Sequence, residues 1–253
     1  MLGSEFKMDG TVIKAYNSIK NPKSNYNQVI LDNGVKPVNE YLEGEVDVVI
    51  PDVATEVGEF AFAYHLVIKS VTFHDDFRKI SNFAFESCLN LSKIDLGCGV
   101  EEIGYGAFSG CNITEFHVPK SVIKILGNPI DNCKNLEAIS VEQGNTAYHS
   151  AANCLIETET RKLIAGCKNS VIPTDGSVEE VDGAFVYCEG LSKIVIPESV
   201  KKIKRASFLG CKNLTIYCEA EKPQEGWEKN WNVKGLIFKR RHKIVWGYKA
   251  DKM

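Results

Sequence analysis

Nine cysteines are the side chains of this sequence best suited to chemistry, as nucleophiles, zinc ligands or disulfide partners. No Cys-x-x-Cys motif occurs among them, so we expect no zinc site. Thiols that fill a core and a few bridges formed in an oxidising compartment remain as alternatives. Five cysteines recur at one position of a regular spacing, which favours core thiols: Cys88, Cys111, Cys133, Cys188 and Cys211. The other four lie outside the series, and one of them is a candidate for an exposed thiol: Cys98, Cys154, Cys167 and Cys218.

The five histidines are scattered along the chain and belong to no catalytic motif. They are His65, His74, His117, His149 and His242. No His-Glu-x-x-His motif, no Gly-x-Ser-x-Gly motif and no phosphate-binding loop occurs in the sequence. Because catalysis needs its groups in a defined arrangement, we predict no enzymatic activity, no catalytic residues, no bound metal and no cofactor.

Charge and hydropathy exclude several classes of protein. The 253 residues carry 30 Lys+Arg against 33 Asp+Glu, for a net charge of -3, and 44% are hydrophobic. This composition is that of a folded chain of one or two domains. A near-neutral chain lacks the basic surface of a nucleic-acid binder, and no apolar run approaches the ~18 residues of a membrane helix. We therefore expect neither a nucleic-acid partner nor a membrane span.

An apolar anchor recurs along the chain and defines a repeat. A cysteine follows each anchor by three residues, except that His65 takes this place in the first unit. Further apolar residues follow at fixed steps, as in Leu91, Ile94 and Leu96, and a proline often closes the run. The anchors are spaced by 22 or 23 residues with one interruption: Phe62, Phe85, Phe108, Ile130, Phe185 and Phe208. Self-similarity of this length is the signature of a repeat protein.

The pattern within a unit predicts one strand and one turn. The last two apolar residues lie two apart, which is the period of a strand. Proline ends the strand because it donates no backbone hydrogen bond. One unit is too small to bury its own apolar side, so neighbouring units must stack around a continuous core. We place the anchor in that core, with the cysteine as a small apolar filler and a weak hydrogen-bond donor.

The interruption and the two ends predict further segments. Cys154–Glu157 and Lys162–Gly166 are short apolar runs around a polar turn, and they predict an extra hairpin within an insert at about 142–170. Asn33-Gly34 between apolar runs predicts a hairpin in an N-terminal cap, residues 9–45. All three tryptophans lie in residues 219–253, which we interpret as a Trp-rich C-terminal cap. Residues 1–8 are interpreted as a cloning scar, and the repeats occupy 46–218.

These residues resemble the BspA-like (Treponema-type) leucine-rich repeat family. The family pattern is matched closely by Ile196-Pro197 to Ile203 and by Gly183-Ala184-Phe185, and the resemblance covers about Glu43 to Tyr248. The departures are His65 for Cys, Ile130 for Phe and Lys204 for a usual Gly. The resemblance implies a mainly β fold, a leucine-rich-repeat solenoid of about six 22-23-residue units with an inserted hairpin and terminal caps. It also implies a binding or adhesion role without catalytic residues.

Stacked strands would align their outward residues into a candidate binding ribbon, which repeat proteins use for extended contacts. The ribbon residues are Ser70, Thr72, Lys93, Asp95, Glu115, His117, Ser140 and Lys193. They combine mixed charge with small polar groups, and we expect the columns to lack aromatic residues. The alternative is that these residues form a plain solvated sheet surface, which would show the same pattern. The strongest charge run, Lys239 to Lys243, is either a solvated hairpin turn or a site for an acidic partner, a membrane surface or nucleic acid.

We therefore predict a non-catalytic leucine-rich repeat protein for protein recognition or cell-surface adhesion. The alternative is a structural scaffold or spacer of a larger assembly that binds through its ends. We expect a monomer whose partner is a protein of the host or of a surface. The start of the natural chain decides the compartment. The protein is secreted or at the cell surface if a signal peptide has been removed, and cytoplasmic if Met8 is the native start.

Overall fold

Parallel strands that follow one another at the repeat spacing build this fold. The computed structural model describes residues 12–13, 28–31, 34–37, 46–235 and 240–249. Within these ranges every regular element is a β-strand, and no helix capable of crossing a membrane is found there. Glu56 pairs with Lys79, and Lys79 pairs with Glu102 one repeat later. Equivalent strands of successive turns are therefore stacked, which confirms the predicted mainly β solenoid.

The strands are short, as expected for units of this length. Those of the first half of the chain are β1 (Val12–Ile13), β2 (Gln28–Leu31), β3 (Gly34–Pro37), β4 (Val46–Val49), β5 (Glu56–Val57), β6 (Ile68–Thr72), β7 (Lys79–Ile80), β8 (Lys93–Asp95), β9 (Glu102–Ile103), β10 (Glu115–Val118), β11 (Lys124–Ile125) and β12 (Ala138–Val141). Those of the second half are β13 (Tyr148–Ala151), β14 (Cys154–Glu157), β15 (Lys162–Gly166), β16 (Glu180–Val181), β17 (Lys193–Ile196), β18 (Lys202–Ile203), β19 (Thr215–Cys218), β20 (Gly226–Trp227) and β21 (Lys243–Val245).

The first of two compact units holds the residues up to Ile113 together with Ser121–Ile130. Its longer strands form the parallel sheet β4-β6-β8, and its short strands form the parallel sheet β1-β5-β7-β9-β11. The antiparallel pair β2-β3 confirms the hairpin predicted near the N-terminus. Leu31 lies opposite Gly34, which places Gly34 in the second strand, whereas Asn33 lies outside the described residues.

The second unit holds Thr114–Lys120 and the residues from Asp131 onward. Its longer strands form two parallel sheets, β10-β12 and β17-β19-β21. The predicted hairpin is confirmed with its bounds, because β14 and β15 are antiparallel. Sequence reasoning missed β13, which adds a third antiparallel strand beside β14. Since β16, β18 and β20 continue from β15 in parallel, the insert is part of the short-strand sheet.

The anchor phenylalanines lie in the core, as predicted, and their rings stack on one another inside each unit. In the first unit the ring centres of Phe62 and Phe85 are 4.9 Å apart, and Phe108 follows 5.4 Å from Phe85. In the second unit Phe185 and Phe208 are also 5.4 Å apart. None of these rings is more than 3% exposed. Burial of one such ring contributes about 1.5–3 kcal/mol, so the aromatic column is a main source of packing energy.

The turn that carries each phenylalanine anchor has left-handed backbone two residues before and two residues after it. Around Phe62 these residues are Phe60 and Tyr64, with φ of 56° and 64°. Gly106 and Gly110 take the equivalent places two turns later, where glycine adopts this conformation without a steric penalty. The Phe62 amide donates to a carbonyl of the next turn over 2.7 Å, while the amide that follows bonds within its own turn. Successive amides thus donate alternately to the next turn and to their own turn, so backbone groups are paired both within and between turns.

Acidic and basic residues alternate from strand to strand on the short-strand sheets. In the first unit the in-register residues are Glu56, Lys79, Glu102 and Lys124. The Lys79 ammonium lies 3.1 Å from the Glu56 carboxylate. The Lys124 ammonium lies equally close to Glu102. The second unit has the same order in Lys162, Glu180 and Lys202. Opposite charges on adjacent strands favour this pairing over one that brings like charges together.

The tryptophans cover the end of the core in the second unit. Trp231 packs edge-on against Phe208, with ring centres 5.9 Å apart. Trp227 lies 4.9 Å from Trp231 and 5.9 Å from Trp246. The Trp227 indole N–H donates to the carbonyl oxygen of Val200 over 3.2 Å, which satisfies its polar atom. Bulky rings at this place shield the last repeat from water.

Candidate functional site

Three of the repeated cysteines, Cys88, Cys111 and Cys211, are buried and donate from their thiols to backbone carbonyls. Cys88 Sγ donates to the carbonyl oxygen of Phe62, in the preceding repeat, over 3.0 Å. Cys111 and Cys211 make the same bond at 3.2 and 2.9 Å. Burial raises the pKa of Cys211 to about 12, so this thiol is protonated and unreactive at neutral pH. The interior position predicted for the repeated cysteines is confirmed for four of the five, whereas Cys188 is partly buried, and none of the nine forms a disulfide.

The four cysteines outside the series divide into three buried thiols and one exposed thiol. Cys154, Cys167 and Cys218 are buried, and burial raises the pKa of Cys154 to about 12. Cys98 is exposed, in agreement with the expectation of one accessible thiol. Hydrogen bonds from Cys98 lower the pKa of the adjacent Asp75. In the described ranges no three or more Cys, His, Asp or Glu side chains are placed to hold a metal ion.

The histidines occupy separate environments. His65 is 3% exposed and edge-on to Phe62, with ring centres 6.0 Å apart, and burial lowers its pKa. His242 is 6% exposed, and its Nε2 lies 2.9 Å from the carbonyl oxygen of Phe208. Burial also lowers the pKa of His242. His65 thus takes the interior place of a cysteine, and His242 is part of the packing near the Trp-rich end.

Four of the predicted ribbon residues lie side by side on sheet β4-β6-β8. Ser70 is in register with Lys93, and Thr72 is in register with Asp95. Lys93 and Asp95 are exposed, whereas the two hydroxyl residues are half-buried. Sequence reasoning omitted Asp47 on β4, whose carboxylate accepts a hydrogen bond from Ser70 Oγ. This face is a short row of charges and hydroxyl groups.

The other four ribbon residues lie in the second unit, on two sheets. Glu115 and His117 are exposed on β10, and Ser140 is exposed on β12. His117 is in register with Ser140, and its Nδ1 lies 2.9 Å from the serine Oγ. Lys193 is exposed on β17. The structure therefore brings the eight predicted residues together as groups of four, three and one.

Lys193 stands over two tyrosine rings that sequence reasoning missed. Its ammonium lies 5.0 Å from the ring centre of Tyr217 and 5.3 Å from that of Tyr248. The ammonium also donates to the Tyr248 hydroxyl over 3.4 Å. The expectation of columns without aromatic residues is wrong here, because Tyr217 is in register with Val195. The available signal was the spacing, since Tyr217 follows Val195 by one repeat of 22 residues.

The basic segment from Lys239 to Lys243 is only partly a free surface. Lys239 lies outside the described residues, as do residues 236–238, which belong to the expected hairpin. Arg241 donates to the side-chain oxygens of Asn232 and Asn230 over 3.0 and 3.1 Å. Lys243 begins β21, which pairs in parallel with β19. The described part of this run is therefore built into the C-terminal segment.

The repeat pattern agrees with a known family. The sequence matches the family model described as BspA type leucine rich repeat region, in six copies, over residues 21–137, 55–175 and 178–219. Together these ranges cover most of the chain, including all the anchors and all the repeated cysteines. No curated protein matches the sequence.

Solved structures similar to this chain include the following three. The pneumococcal vaccine antigen PcpA is 14% identical with a TM-score of 0.56, over 96% of this chain and 85% of its own. A leucine rich cell surface protein from Faecalibacterium prausnitzii is 21% identical with a TM-score of 0.49, over 85% and 69%. A leucine-rich repeat protein from Eubacterium ventriosum is 20% identical with a TM-score of 0.49, over 68% and 59%. The present chain thus spans less than two thirds of the Eubacterium chain. The similarity to PcpA supports the fold described above.

Proposed function

We propose that this chain, which belongs to the BspA type leucine-rich repeat family, is a non-catalytic module for protein recognition or cell-surface adhesion. It binds a protein partner through the outward faces of its longer strands. The faces concerned are those of sheets β4-β6-β8, β10-β12 and β17-β19-β21.

One observation carries this proposal: inward positions are nearly constant in chemistry, while outward positions change from repeat to repeat. At one inward position the residues are Val71, Ile94, Phe116, Ile139 and Ile194. At the preceding outward position the residues are Ser70, Lys93, Glu115, Ala138 and Lys193. Core packing constrains the first set, whereas surface positions are free to differ. A varied, exposed, strand-borne surface is what a repeat protein offers to an extended partner.

A second candidate is a scaffold that binds through its ends. It is favoured by β21, which is the terminal strand of its sheet and has only β19 as a neighbour among the described strands. The edge of a terminal strand offers unpaired backbone groups to another chain. In this case the strand faces would be plain solvated surface, and contact with the assembly would involve the Trp-rich end.

Site-directed photo-crosslinking separates the two candidates. A photoreactive residue is placed at Asp95 or Ser140 on the strand faces, and at Arg240 or Lys249 near the C-terminal end. Each protein is irradiated in extracts and surface fractions of cells that carry the natural gene. Recognition through the strand faces predicts specific adducts from Asp95 or Ser140. Adducts from Arg240 or Lys249 alone would contradict it and support the scaffold.

A further inference from the structure

Within its described strands, sheet β17-β19-β21 has lysines and no acidic residue at its outward positions. Its outward residues are Lys193, Val195, Thr215, Tyr217, Lys243 and Val245. By contrast, Asp47 and Asp95 occupy outward positions of β4-β6-β8, and Glu115 does so on β10. Lys193 and Lys243 are exposed, and across the described ranges neither has a carboxylate within ion-pair distance.

The tyrosine rings hold the Lys193 ammonium in place before any ligand arrives. The ring centres of Tyr217 and Tyr248 are 4.9 Å apart at an interplanar angle of 61°, and the ammonium lies over both. A lysine ammonium has three N–H donors, and one of them is used by the Tyr248 hydroxyl. Two donors remain for a ligand. Because the side chain is already ordered, a ligand that binds there loses less affinity to side-chain ordering.

The same contacts indicate the chemistry of the ligand. The ammonium already lies over both tyrosine rings, so these rings are not free platforms for stacking of a sugar or a base. The free groups are the N–H donors of Lys193 and of Lys243, which pair with anionic oxygens, including those of carboxylates. Lys193 and Lys243 flank Thr215 on adjacent strands, two strand spacings or about 10 Å apart. In an extended segment of polyproline II type, residues i and i+3 share one side and lie about 9 Å apart.

We propose that Lys193, held by Tyr217 and Tyr248, acts with Lys243 to bind two carboxylates three residues apart in an extended acidic segment of the protein partner. This inference rests on the proposed function, since it names the ligand chemistry of one of the strand faces. The strongest polar contact with the partner would then lie in the second unit, where the outward positions of the strands include aromatic residues.

A labelled peptide tests this inference with the whole chain. The probe is a fluorescein-labelled synthetic peptide of repeated Glu-Pro-Ser, and the comparison peptide has the same composition with its glutamates in one block. Affinity is measured by fluorescence anisotropy at low and at physiological ionic strength. We expect the spaced peptide to bind more tightly than the block peptide. Lys193→Gln and Lys243→Gln should each weaken its binding about fivefold, the loss of one partly exposed charge-assisted contact.

Matched variants test whether a loss of binding is specific to Lys193 and Lys243. Lys229→Gln removes an exposed lysine that lies outside the strand faces and should leave affinity unchanged, whereas Lys193→Arg keeps the charge and should retain binding. Tyr248→Phe removes only the hydroxyl and should weaken binding about twofold, since the hydrogen bond that Lys193 donates to it is long, at 3.4 Å. Melting temperatures confirm that each variant is folded. Equal weakening by Lys229→Gln and Lys193→Gln would overturn the inference, as would preference for a polyuronate over the spaced peptide.

The two proposals fail in different ways. If photo-crosslinks form from the strand faces but Lys193→Gln and Lys243→Gln bind the spaced peptide as the wild type does, the lysine assignment is wrong and the recognition function stands. If crosslinks form only from the C-terminal end, the strand-face function is wrong, whatever the peptide result.

Discussion

The Sγ–H of Cys211 donates to the carbonyl oxygen of Phe185 over 2.9 Å, and Phe185 lies in the repeat before it. Cys88 bonds in the same way to Phe62, although it lies in the other unit. The thiol therefore fills a small space and pairs a backbone acceptor of the preceding turn. This double role explains why the repeat carries cysteine at this place without any use of its reactivity.

In the native protein, most of the thiols should not react with a chromogenic thiol reagent. Cys98 is exposed and should react quickly, whereas the other thiols are buried or partly buried, and burial raises the pKa of Cys154, Cys211 and Cys218 to about 12. We expect about one fast thiol in native protein and nine after denaturation. Cys98→Ser should remove the fast phase. Five or more fast thiols, or a disulfide between repeated cysteines, would contradict the interior assignment.

The protein should lose stability in mild acid. Burial lowers the folded-state pKa of His65 and of His242 below the value of about 6.5 that an unfolded chain has. Below about pH 6.5 the unfolded state therefore binds more protons, and the free energy of unfolding falls until pH passes the lowered pKa. His65→Cys restores the residue found in the other repeats and should flatten the dependence of melting temperature on pH between 7 and 5. An unchanged pH dependence in that variant would count against this role for His65.

Loss of Trp231 should destabilise the second unit strongly. This ring is 5% exposed and packs against both Phe208 and Trp227. Truncation of a buried Trp to Ala usually lowers the free energy of unfolding by about 3–5 kcal/mol. Trp231→Ala is compared by urea unfolding with Lys229→Ala, an exposed neighbour that should change stability by about 0.5 kcal/mol or less. A change below about 1 kcal/mol for Trp231→Ala would show that the tryptophans are not a required cap.

Charge reversal on the strand faces should abolish recognition without unfolding the chain. The variant combines Lys93→Glu, Asp95→Lys, Glu115→Lys and Lys193→Glu. Each change is at an exposed position and should alter stability by about 0.5 kcal/mol or less. Affinity for the crosslinked partner should fall at least about tenfold, or roughly 1.4 kcal/mol, and the wild-type affinity should weaken with salt.

A control variant reverses the same number of positive and negative charges elsewhere on the surface. It changes Glu159, Lys222, Glu225 and Lys229, all of which are exposed. Surface plasmon resonance should show partner binding by this control close to that of the wild type. Full affinity in the strand-face variant would contradict binding through the strand faces and would favour binding through the C-terminal end.

Much of the fold follows from the sequence because one chemical pattern is repeated many times. The spacing of Phe62, Phe85 and Phe108 fixes which residues stack, and the bounds of β14 and β15 followed from apolar runs on either side of a polar turn. Phe60 and Tyr64 were harder to foresee. Their left-handed backbone is imposed by hydrogen bonds between turns and not by their own side chains.

The candidate site was only partly predictable. The outward positions of Lys93 and Asp95 follow from the strand period alone. Tyr217 was accessible to the same reasoning, since one more step of the repeat reaches it from Val195. Tyr248 was not, because it follows an irregular segment and is positioned by its amide, which donates to the carbonyl of Cys218 over 2.9 Å. Contacts made by residues outside the repeat need the structure.

The alternating charges on the short-strand sheet restrict how the number of repeats can change over evolution. Loss of the repeat that contains Lys79 would bring Glu56 next to Glu102, two like charges directly opposite each other on adjacent strands. Loss of two successive repeats would instead bring Glu56 next to Lys124 and restore an attractive pair. In the same way, duplication of one repeat would pair two like charges, whereas duplication of two successive repeats would keep the alternation. Copy number in this sheet should therefore change more readily by even steps, and an odd step should be accompanied by a charge reversal at the new junction.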